Sequence, residues 1–155
     1  MKIKSIITII TISLLYSCGS KKGAISQEGM IKEINSYAQT VDNNGNLKKE
    51  ITEGALTDTE GFNDIGTFKY TVHFDTKTNQ LYKIENIETT DRTVSEYYYF
   101  KDENLISILA VSGHTTKKIF LKKGRVISEE NTTSEDQQLL IEKANRFQKA
   151  FKKSH

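Results

Sequence analysis

The chain has neither proline nor tryptophan in its 155 residues, and a single cysteine, Cys18. One thiol cannot form an internal disulfide. The signatures of familiar hydrolases are also missing: there is no Gly-x-Ser-x-Gly, no His-Glu-x-x-His and no glycine-rich phosphate loop. The histidines, His73, His114 and His155, have no metal-ligand spacing. Asp42-x-Asn44-x-Asn46 with Glu53 comes nearest to a calcium loop, but Leu47 stands where the sharp turn of that loop needs glycine. The sequence therefore points to no metal, no cofactor and no catalytic residue.

What is present begins at the N-terminus. Lys2 and Lys4 precede an apolar run, Ile6–Leu15, the order of a secretory leader. That run falls short of the ~20 apolar residues that span a bilayer. It ends in Leu15-Tyr16-Ser17-Cys18, followed by polar Gly19-Ser20-Lys21-Lys22. The leader resembles the signal of bacterial lipoproteins, with Leu15, Ser17 and Cys18 at the matching positions and Tyr16 bulkier than usual. The resemblance implies cleavage before Cys18, acylation of its sulfur (palmitate among the chains) and of its amine, and durable attachment to a membrane. Gly19 after the cysteine is not the aspartate associated with inner-membrane retention, which implies the outer membrane, with the periplasmic face favoured.

Residues 1–17 thus read as a leader, 18–25 as a flexible tether and 26–155 as one domain. Loss of Lys2 and Lys4 with the leader removes the formal charge of +2, leaving 20 basic and 20 acidic residues. No global basic field remains to attract nucleic acid.

Within the domain, the spacing of Ile31, Ile34, Ala38 and Val41 predicts a helix from the Ser26 cap to about Val41. Strands are expected at Leu47–Leu56, Phe68–Asp75, Leu81–Thr89, Thr93–Lys101, Leu105–Ser112, Lys117–Lys122 and Arg125–Glu129, with a polar loop from Thr57 to Gly66. Connections this short favour an antiparallel meander of about six to seven strands. A second helix follows from about Glu135 to Lys152, capped by Ser134 with Gln137 three residues on. Its Leu140, Ala144, Phe147 and Phe151 form one apolar stripe. The fold class is α+β. Two hairpins, Phe100–Leu105 and Phe120–Arg125, look like copies of one device with a three-residue loop whose third residue, Asn104 or Gly124, turns left-handed.

Register then predicts which residues share a face. With Asp102–Asn104 as the loop, Phe100 opposes Ile106, Tyr98 opposes Ile108 and Glu96 opposes Ala110. On the other side Tyr99 meets Ser107 and Tyr97 meets Leu109. Both sides are substantially apolar. Two helices can cover one face; the other, with Tyr97, Tyr99, Leu105 and Leu109, is then either closed by curling of the sheet or by the Thr57–Gly66 loop, or is a candidate binding face for an envelope protein or an apolar ligand. His73 reads as a solvated strand residue, and Lys143, Arg146, Lys149 and Lys153 as a solvated helix face. The function these features imply is a lipid-anchored envelope protein acting as a non-catalytic binding module. The alternatives are a small periplasmic enzyme using carboxylates such as Glu85, Glu88 or Glu96, and a purely structural envelope lipoprotein.

Overall fold

A computed structural model describes residues 25–155, so the leader, Cys18 and most of the tether lie outside it. Helix α1, Gln27–Asp42, leads into seven strands: β1 Lys48–Thr57, β2 Asp64–Asp75, β3 Gln80–Thr89, β4 Thr93–Lys101, β5 Asn104–Ser112, β6 Thr115–Lys122 and β7 Arg125–Glu130. Helix α2, Ser134–Ser154, closes the chain. The strands form one antiparallel sheet in sequence order, the expected meander. Among the described residues no helix is long and apolar enough to cross a membrane.

Both helices start on side-chain caps. Ser26 Oγ accepts from Gly29 N, 3.1 Å away. At α2 the cap is Thr133 rather than Ser134, with Asp136 completing the reciprocal pair. Threonine and aspartate satisfy the orphan amides there as serine and glutamine would have done one residue later.

The helices lie on opposite faces of the sheet, not on one. Leu140, Ala144 and Phe151 of α2 join Val72, Phe74, Ile84, Tyr98, Phe100, Ile108, Ile119 and Leu121 in the larger core. Val41 of α1 joins Leu47 and Tyr99 in a smaller one, flanked by Tyr37, Ala38, Tyr82, Tyr97 and Ile106. A meander with two apolar faces needs two covers, and each helix has a single apolar stripe to offer.

The hairpins depart from the expected turns in one consistent way. Lys101 pairs with Asn104 and Lys122 with Arg125, so each turn has two residues, not three. Asp102 (φ 48°) and Glu103 (φ 63°) are both left-handed, as are Lys123 (φ 50°) and Gly124 (φ 74°), the tight turn that suits strand twist. The residue thereby gained goes into a bulge on the returning strand. Tyr99 pairs with Ser107 but Phe100 with Leu105, which leaves Ile106 unpaired. Tyr82 and Ile127 are left out of register in the same way in the β2–β3 and β6–β7 hairpins. The three bulges stand in a row across β3, β5 and β7, and α1 lies along that row. Gln27 at its start donates to the Ile127 carbonyl at 2.6 Å, and Ile106 and Tyr82 pack beside Val41 near its end. Helix α2 crosses the other face from Asp136, paired with Lys117 of β6, to His155, 3.2 Å from Glu50 of β1.

Candidate functional site

The central strands β3 and β4 carry a charged cluster on each face. On the α1 side, alternation brings His73 of β2, Lys83 and Glu85 of β3, and Tyr97 and Tyr99 of β4 together. Lys83 is 7 % exposed. Its Nζ lies 2.6 Å from Asp42 Oδ1 at the end of α1 and 2.7 Å from Glu85 Oε1. It also sits over the rings of Tyr97 and Tyr99, 5.1 and 5.3 Å from their centroids, a placement that favours a cation. Burial alone would lower the Lys83 pKa, but hydrogen bonds to Asp42 and Glu85 outweigh it and raise it. The Tyr99 hydroxyl donates to Asp42 Oδ2 at 3.0 Å, and burial pushes its pKa up to about 12.

His73 is not solvated, as the alternation of its strand suggested, but buried at 6 % exposure. The end of α1 and the Lys83–Glu85 pair close over what would otherwise be an open polar row. His73 Nε2 stands 3.3 Å from Glu85 Oε1, an ion-pair distance, yet lacks the alignment of a hydrogen bond and has no other partner. The His73 imidazole, and then Lys83 working against burial, hold the Glu85 carboxyl down to about 2.

On the α2 side, Glu96 is 7 % exposed. Its Oε2 accepts from Asn86 at 3.0 Å and from the Tyr98 hydroxyl at 2.9 Å, and pairs with Lys143 at 2.8 Å. Lys143 also reaches Glu88 Oε1 at 2.8 Å. Burial pulls the Glu88 carboxyl up, but Lys143 and Asn86 outweigh it and hold it below its ordinary range. Lys143, expected on a solvated helix face, is thus drawn inward between two carboxylates. All three partners of Glu96 converge on Oε2, and the residue lines a cleft of about 540 Å³ between α2 and the sheet. Arg92, Lys117 and Asp136 line that cleft, with Val94, Ala110 and Leu140 as its apolar wall. The carboxylates singled out from sequence therefore divide, Glu85 on one face and Glu88 with Glu96 on the other.

The four residues of the expected binding face do not stay together. Tyr99 is buried beneath α1 at 6 % exposure. Leu105 is carried by the bulge onto the opposite face, where it pairs with Phe100 in the α2-side core. Tyr97 and its cross-strand partner Leu109 remain on the α1 side, half-buried. Beside them lie Ile87, Ser95 and Val111, on the part of the sheet away from the bulges that α1 crosses. Among the described residues no group of three or more His, Cys, Asp or Glu is placed to hold a metal ion. No protein-family model, no curated protein and no solved structure matches the chain.

Proposed function

We propose that the protein is a lipid-anchored component of the bacterial envelope, held through Cys18 at the outer membrane and facing the periplasm, and that its α1-side sheet surface docks another envelope protein. The observation that carries the docking is the half-buried pair Tyr97–Leu109 with Ile87 and Val111 on a face that one helix covers in part. Tyrosine and aliphatic side chains on a rigid sheet contribute contact area at little entropic cost, which is the composition of protein interface cores. Crosslinked recovery from membranes tests this. The native chain should bring down one partner, Tyr97→Ser with Leu109→Ser should lose it while still folding, and Cys18→Ala should lose it by leaving the membrane. Equal recovery with the doubly substituted face would overturn the reading.

A second reading rests on Glu96. A buried carboxylate that holds three partners on one oxygen and lines a cleft is suited to a small ligand that donates a hydrogen bond and has an apolar body. A ligand or substrate whose binding survives Glu96→Gln unchanged would exclude this reading.

A further inference from the structure

The two edges of the sheet are finished differently. Strand β7 has six residues and the start of α1 against it, with Gln27 hydrogen-bonded to Ile127. Strand β1 has ten residues, all but two of them exposed, and among the described residues only β2 pairs with it. A long uncovered edge is a template for another strand. Its register with β2 is regular from Lys48 to Leu56, so nothing along that stretch bends the edge away.

The order of side chains on this edge is the informative feature. Lys49, Ile51, Glu53 and Ala55 point to the α1 side, in step with His73 and Thr71, and Leu47, just before the strand, is buried in the core under α1. Read from the centre outward, the row is apolar at Ile51, then positive on one side and negative on the other. Such a row complements itself when reversed. We infer that β1 pairs antiparallel with β1 of a second copy about a two-fold axis at Ile51, joining two sheets edge to edge.

A two-fold axis normal to the sheet keeps each face beside its counterpart, as an isologous contact requires. Ile51 then meets Ile51 of the second copy, and Lys49 meets Glu53 twice. On the α2 side Glu50 meets Thr52 and Lys48 meets Gly54. Opposed Cβ atoms in such a pair lie about 4.5–5.5 Å apart, within reach of ion pairing. Neighbouring registers lose the match. Sliding the pair by one step of the alternation puts Glu50 against Glu50 in one direction and Ile51 against Glu53 in the other. Charges on an edge strand ordinarily repel a second strand. Here their antisymmetry about Ile51 selects one partner, a copy of the same strand. Ile51 is 55 % exposed in the single chain, and the pairing covers it.

The test uses the full chain in isolated membranes, with cysteine placed at Ile51. Directly opposed residues at a two-fold axis can close a disulfide with small adjustment. Ile51→Cys should give a covalent dimer on mild oxidation, whereas Glu129→Cys on the other edge and the unsubstituted chain, whose one cysteine is Cys18, should not. In the Ile51→Cys background, Lys49→Glu alone and Glu53→Lys alone should each cut the dimer at least about tenfold, because each makes both charge pairs repulsive. The two reversals together should restore it. No dimer from Ile51→Cys, as much from Glu129→Cys, or a double reversal as weak as the singles would each overturn the pairing. Circular dichroism of every variant separates lost pairing from lost folding.

Discussion

Lys83 Nζ lies 2.6 Å from Asp42 Oδ1, which ties the last residue of α1 to the middle of the sheet. Removing that cation strands two carboxylates, Asp42 and Glu85, beside each other. Breaking a fully buried pair costs about 3–5 kcal/mol. Asp42 and Glu85 keep part of their access to water, with side chains 41 % and 24 % exposed, so the cost is smaller. Lys83→Met is expected to destabilise by about 2 kcal/mol, read as a lower midpoint in urea at unchanged slope.

Acid should weaken the same cluster. A carboxyl whose pKa falls on folding contributes stability that is complete above its unfolded value, 4.5 for Glu85, and is lost as pH drops through about 2. The difference in unfolding free energy between the native chain and Glu85→Gln should therefore be constant above about pH 5 and shrink steadily below it. A difference that stays flat down to pH 2 would show that the His73 and Lys83 contacts do not hold that proton off.

Tyr97 and Tyr99 should part company on substitution. Tyr99→Ser empties a buried position and frees Asp42 from its hydroxyl, a loss of about 3–4 kcal/mol by comparison with other large-to-small changes in cores. Tyr97→Ser removes a half-buried ring and should cost about 1 kcal/mol. Denaturant midpoints of the two variants decide the matter. Equal losses would mean that the face around Tyr97 is core.

The β4–β5 turn offers a gain. Asp102 and Glu103 both occupy left-handed backbone, where asparagine and glycine are at ease. Asp102→Asn with Glu103→Gly should raise stability by about 1 kcal/mol, less whatever the exposed Lys152–Glu103 pair contributes. A rise of several degrees in Tm is the expected readout.

Most of the architecture was legible because it is local. Alternation over Phe68–Asp75 and the other strands, short connections between them, and the Ser26 cap all act within a few residues of themselves. The pairing of Tyr97 with Leu109 and of Tyr98 with Ile108 followed from counting outward from the turn. The count failed at Phe100, because a turn of two left-handed residues without Asn-Gly or Asp-Gly leaves no trace in the sequence. That one residue sent Leu105 to the opposite face. The burial of His73 and the inward pull of Lys143 depend on where α1 and α2 come to rest. A polar row on a strand looks the same whether water or a helix end lies above it. The apolar character of both sides of the β4–β5 hairpin was the available sign that the helices must separate.

One end of each helix reaches the strand farthest from it in sequence. The first turn of α1 is hydrogen-bonded to β7, the last strand, and His155, which caps the end of α2, contacts β1, the first. Between them the sheet is a chain of neighbour-to-neighbour hairpins that can zip up quickly from local contacts. The two helices act as crossed latches, long-range contacts that tie a row of hairpins into one unit. Trimming either end of the domain should loosen the opposite edge of the sheet first.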